Sequence, residues 1–131
     1  MANRFTIKTI LSILGLSEDN NYMVYMGGSL CMRRVRETND LDIAVEPDVF
    51  AELAKRYDKE DEITISLGDR TFDLFIEGTV VEVFERENFM NEAELVDGVW
   101  CQTLDEIIKM KRRFDRPKDK KDLEILCVIE K

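Results

Sequence analysis

Apolar residues at Phe5, Ile7, Ile10, Leu11, Ile13 and Leu14 recur at helical spacing and stop at Gly15. That predicts a first helix closed by glycine. Tyr22 to Met26 is a short apolar run, read as a buried strand, and Gly27-Gly28 turns the chain after it. Ser29 is expected to cap a short helix through Val35. From Asp40 to Glu46, Leu41, Ile43 and Val45 alternate with Asp40, Asp42 and Ala44, the signature of a half-buried strand. Pro47 is placed to open a helix to about Tyr57. Three strands follow, at 62–67, 71–76 and 79–84, with turns at Gly68-Asp69 and Glu77-Gly78. A short helix near 87–93 and a strand near 98–102 come next. Thr103 and Glu106 form a capping-box pattern for a helix to about Phe114, and Pro117 restarts the chain into a last helix. The expected fold class is α/β or α+β: a small mixed β-sheet flanked by helices, in one domain over 1–131 with its core at about 22–127.

Composition narrows the chemistry. With 131 residues and 44% hydrophobic content the chain can bury a core. Its net charge of -9 argues against a general nucleic-acid coat protein. Basic residues are nonetheless crowded at 109–121: Lys109, Lys111, Arg112, Arg113, Arg116, Lys118, Lys120 and Lys121. Cys31, Cys101 and Cys127 match neither a zinc spacing nor an even disulfide set, and are read as small buried residues in a reducing cytoplasm. Neither a signal peptide nor a membrane span is expected. The chain has no histidine, so any catalysis must rest on carboxylates, metal or basic side chains.

The candidate site begins at residues 26–43. In a strand, Asp40 and Asp42 point the same way while Leu41 and Ile43 point into the core. Two carboxylates projecting together repel unless a cation lies between them, and oxygen-only ligation suits Mg²⁺ or Mn²⁺. Asp73 sits mid-run in Thr71–Ile76, so three carboxylates would converge if the two strands are neighbours, the arrangement a two-metal centre needs. Gly27 and Gly28 would let backbone amides approach phosphate oxygens, with the Ser29 hydroxyl as a further donor. Arg36 and Thr38 either meet phosphate or brace the loop. An acid-x-acid pair alone is weak evidence: 28 acids in this length give about six such pairs by chance. Asp58/Glu60 and Glu92/Glu94 are others, and they lack the upstream glycine turn.

Met26-Gly27-Gly28-Ser29, a spacer through Asn39, then Asp40-Leu41-Asp42-Ile43 resembles the signature of the polymerase-β-like nucleotidyltransferase superfamily. The Arg36-x-Thr38-x-Asp40 lead-in is most similar to abortive-infection-type toxins and aminoglycoside-type adenylyltransferases. Ile107 to Lys111, Arg116-Pro117-Lys118-Asp119 and Asp122 are similar to the toxin-like group. The resemblance implies transfer of a nucleoside monophosphate from an NTP, ATP being the expected donor, to a hydroxyl acceptor, with release of pyrophosphate. It implies metal ligation by Asp40 and Asp42, with Asp73 as the third carboxylate, activating the acceptor. It places Gly27, Gly28 and Ser29 at the triphosphate turn and Lys111, with Lys109 as its rival, on the triphosphate. Arg116, Lys118 and Asp119 are substrate-binding or structural. Many relatives carry a further helical domain, so the acceptor surface is expected from a helical partner protein, a second copy, or the acceptor itself, whether RNA, protein or small molecule. The alternative expectation is a nucleotide-binding regulatory or antitoxin-like module without turnover.

Overall fold

A computed structural model describes residues 1–130, with side chains described as far as Leu126; the Cys127 side chain therefore lies outside the described residues. The elements run α1 (Arg4–Leu14), β1 (Tyr22–Tyr25), α2 (Gly27–Met32), β2 (Asp40–Val45), α3 (Pro47–Arg56), β3 (Thr64–Ser66), β4 (Asp69–Ile76), β5 (Thr79–Glu85), β6 (Ala93–Val96), β7 (Val99–Gln102), α4 (Leu104–Phe114) and α5 (Pro117–Glu130). Single 3₁₀ turns stand at Glu60–Glu62 and Met90–Glu92.

The seven strands form one mixed sheet in the order β3-β4-β5-β2-β1-β7-β6. β2 pairs parallel with β5, and β1 parallel with β7; the other pairings are antiparallel. The fold is thus mixed helix and sheet, with more strands than expected. The tight turns Leu67-Gly68, Glu77-Gly78 and Asp97-Gly98 each hold two successive positive φ angles. That is the twist two-residue hairpins favour.

Strand alternation divides the sheet into two faces. On one, Tyr22, Val24, Leu41, Ile43, Val45, Phe72, Leu74, Val81 and Val83 pack with Ile7, Ile10, Leu11 and Leu14 of α1 and Phe50, Leu53 and Ala54 of α3. Fully burying each of these larger aliphatic or aromatic side chains contributes about 1.5–3 kcal/mol. Phe5 and Ile13, read as part of the α1 stripe, instead point outward, 80% and 44% exposed. Asn3 caps α1 through the Thr6 amide, and Gly15 closes it at φ 77°. The second face is covered at one end by Phe89 and Met90, which pack on Met23, Ala44 and Phe84. At its side, α4 and α5 join α2 through Met26, Leu30, Ile107 and Leu126.

Several expected boundaries move: α2 spans Gly27–Met32 rather than Ser29 to Val35, and β4 begins at Asp69, so the turn before it is Leu67-Gly68 rather than Gly68-Asp69. The run read as a strand from residue 62 is a 3₁₀ turn until Glu62, with β3 beginning at Thr64. The expected helix near 87–93 shrinks to one turn, because Ala93–Val96 pairs with β7 as an edge strand. Half of the α4 capping box forms: Thr103 accepts from the Glu106 amide, while its own amide donates to the Glu92 carbonyl. Among the described residues, no helix is long and apolar enough to cross a membrane.

Candidate functional site

The second face of the sheet carries an ordered grid. Asp42 stands opposite Tyr25 on β1 and Glu82 on β5, and Glu82 in turn stands opposite Asp73 on β4. In-register neighbours share a face, so Asp42, Glu82 and Asp73 form one file across three adjacent strands, with Cβ atoms about 5 Å apart from strand to strand. The next file toward the glycine turn is Asp40, Val80 and Phe75. On the other side lie Ala44, Phe84 and Thr71. The Asp42–Glu82–Asp73 file therefore sits between an open file that begins at Asp40 and one roofed by Phe89.

Charge accumulates in that file. Burial pushes the Asp42 carboxyl up to about 6, with Glu82, Asp40 and Asp73 adding to the rise and Lys118 opposing it. Glu82 is raised too, first by burial and then by Asp73. The buried Thr71 hydroxyl makes no hydrogen bond in strict geometry. It still lies close enough to Glu82 to favour the ionised form. Glu82 was missed in the sequence because it reads as one outward polar residue in a strand; only strand order reveals it as the link between Asp42 and Asp73.

An all-oxygen donor set of this kind suits Mg²⁺ or Mn²⁺. As the side chains stand, no three acidic groups among the described residues close around a common point.

The glycine turn lies at the same end of the sheet, since Tyr25 of β1 pairs with Asp42 and Gly27 follows two residues later. Met26 leaves the strand at φ 48°, ψ -113° and donates its amide to Gln102 Oε1 at 3.0 Å. A Cβ on Gly28 would stand 2.5 Å from Val24 Cγ1 and 2.8 Å from Leu41 Cδ1, so only glycine fits between β1 and β2 there. On Gly27 it would stand 2.9 Å from Thr38 Oγ1.

Ser29 does not have the role expected of it. The cap position belongs to Met26, and Ser29 is fully buried inside α2. Its hydroxyl donates to the Val24 carbonyl and accepts from the Gln102 amide at 3.0 Å, tying β1 to β7. That hydroxyl is thereby withdrawn from any ligand. Thr38 is also buried and donates to the Asp40 carbonyl at 2.8 Å, which is the bracing role.

Arg36 and Lys111 meet in a buried ionic clasp. Arg36 donates Nε and Nη2 to the two oxygens of Asp122 at 2.9 and 2.8 Å, and Lys111 Nζ lies 2.9 Å from Asp122 and 3.5 Å from Asp119. Asp119 in turn accepts from the Arg116 amide and guanidinium. Burial alone would raise the Asp122 carboxyl, but hydrogen bonds from Arg36 and Lys111 and their charges bring it down to about 2. The clasp binds the α2–β2 loop to α4 and α5. Lys111 is 3% exposed. It is therefore an internal counter-ion, contrary to the triphosphate role the resemblance implies. Lys109 is exposed and pairs with Glu106, away from the clasp. Lys118, exposed on the first turn of α5, is the cation of this region whose charge reaches Asp42.

Among the described residues Cys31 and Cys101 are buried and unbridged, and burial raises both thiols, that of Cys101 to about 12. Comparison with known proteins matches this chain to no protein-family model, no curated protein and no solved structure.

Proposed function

We propose that the protein is a metal-dependent nucleotidyltransferase that moves a nucleoside monophosphate from an NTP to a hydroxyl acceptor, with release of pyrophosphate. The observation that carries this reading is the file Asp42, Glu82, Asp73, with Asp40 beside Asp42, at the sheet end where Gly27 and Gly28 turn the chain. Asp40 and Asp42 would hold Mg²⁺, with Asp73 or Glu82 as the third ligand. The metal would supply charge neutralisation at the phosphates. The protein's part is positioning and electrostatics. The glycine turn admits phosphate close to backbone, Lys118 offsets charge beside Asp42, and a carboxylate on the β4–β5 side takes the acceptor proton. In this reading the NTP lies toward β1 and α5, and the acceptor toward β4.

A second reading is a nucleotide-binding regulatory module without turnover. It is favoured by the engagement of Ser29, Arg36 and Lys111 inside the protein, which leaves few side chains to grip a triphosphate.

The two separate in one experiment. Protein is incubated with labelled NTPs, Mg²⁺ or Mn²⁺ and cell extract. Label carried onto RNA, protein or a small molecule, and lost in Asp42→Ala, is the expected result. Metal-dependent NTP binding with no transfer across a broad acceptor screen would favour the regulatory module. Absence of any metal-dependent NTP binding would sink both.

A further inference from the structure

Away from the carboxylate file, the start of α1 and the α2–β2 loop enclose an open-mouthed groove of about 580 Å³. That is within the roughly 300–1,000 Å³ of small-molecule sites. Three of its walls are Arg4, Arg34 and Arg36, with Phe5 and Cys31 as apolar surface and Glu37 as its one acid. A groove with a positive balance is a local exception in a chain of net charge -9.

The donors in it are unequally occupied. Arg36 is spent on Asp122 and the Glu37 carbonyl. Arg4 gives Nη2 to Asp97, a carboxylate it shares with Lys8, while its Nε is buried with no acceptor. A guanidinium nitrogen in this position gains from any acceptor brought within its reach. Arg34 enters no ion pair among the described residues. Its backbone is also unusual. The Val35 amide donates to the Leu30 carbonyl and the Arg34 amide to Cys31, so α2 ends in a Schellman motif. Arg34 holds its left-handed position at φ 65°, where glycine or asparagine would cost less. The first turn of α1 has no acidic residue, which leaves the positive end of its dipole uncompensated beside Arg4. Phe5, 80% exposed, offers a flat ring at the rim.

We infer that this groove is a ligand site, separate from the carboxylate face, for a phosphate-bearing small molecule with a flat aromatic body: the chemistry of a mononucleotide. Arg4 and Arg34 take the phosphate, and Phe5 takes the ring. Arg36 forms a wall of the groove and also lies against Gly27, so the groove shares a side chain with the glycine turn. The inference does not need the transferase reading.

The test is calorimetric titration of the full chain in EDTA with AMP, inorganic phosphate and adenosine. Without metal the carboxylate file repels phosphate, so the two sites separate. AMP is expected to bind tighter than either phosphate or adenosine. Arg34→Glu should weaken AMP at least tenfold and Phe5→Ala several-fold, both side chains being exposed and the fold unchanged by circular dichroism. Asp42→Asn should leave AMP affinity as it was. No AMP binding to the wild-type chain, equal affinity for AMP and phosphate, or loss of AMP binding in Asp42→Asn but not in Arg34→Glu would each overturn the inference.

Discussion

Asp42 and Glu82 stand side by side across the parallel β2–β5 pair, with Asp73 directly beyond Glu82. Ionising Asp42 thus adds a third like charge to a partly dehydrated file. Because its folded pKa is raised, from 3.8 to about 6, the folded state binds this proton more tightly than the unfolded chain does. Stability from this group is fully present below about pH 4 and is lost as pH rises through about 6, a loss of at most about 3 kcal/mol. In EDTA, Asp42→Asn should remove that loss and be the more stable protein at pH 7.5. Urea melts at pH 5 and pH 7.5 check it; a pH dependence unchanged by the substitution would refute the assignment.

Divalent metal should reverse the same penalty. Saturating Mn²⁺ at pH 7.5 is expected to raise the melting temperature by several degrees, as any ligand of the native state does. Chelation should return it, and Asp42→Asn should abolish the shift. Differential scanning fluorimetry is sufficient.

Lys118 is the counterweight. Lys118→Ala should raise the Asp42 pKa further, and Lys118→Arg should not, as followed by carboxyl carbon chemical shifts against pH. The alanine variant should also weaken metal-dependent NTP binding by about tenfold, the loss of one charge-assisted contact.

The clasp around Asp122 behaves in the opposite sense. Its carboxyl is held at about 2, so its stabilisation is present above about pH 4 and is lost as pH falls toward 2. Asp122→Ala leaves Arg36 and Lys111 without their common partner and should cost about 3–5 kcal/mol. Equilibrium unfolding in urea measures it.

Asp73→Asn and Glu82→Gln separate acceptor activation from metal holding. Asp73→Asn is expected to lower transfer at least about 100-fold with NTP affinity within about twofold. Glu82→Gln, next to Asp42, should weaken metal binding as well. If the two outcomes are exchanged, Glu82 is the proton acceptor.

Much of the local architecture was written in short-range pattern. The alternation Asp40-Leu41-Asp42-Ile43 set both the strand and the direction of its acids. Gly27-Gly28 marked a turn, and at Gly28 it does so because a Cβ would strike Val24 and Leu41. What the chain concealed was set by distant contacts. Ser29 has the composition of a cap, yet the pull of two strands takes its hydroxyl inward. Lys111 looks like a surface cation in a basic run, but Asp119 and Asp122 reach it only after α5 folds back on α4. Ala93–Val96 has too few residues to announce itself before β7 pairs with it. Glu82 becomes notable only once β5 is placed between β2 and β4.

That placement also governs when the file comes into being. Asp42 lies far along the chain from Asp73 and Glu82, which share the β4–β5 hairpin, and β5, the strand that joins them, is the last of the three to be synthesised. A chain still emerging from a ribosome holds two isolated acidic strands and no gathered charge until β5 slots between them. Cation capture would therefore report that β2, β5 and β4 have come together: a fragment cut within the β4–β5 hairpin should show nothing, while the intact chain gains its site in one cooperative step.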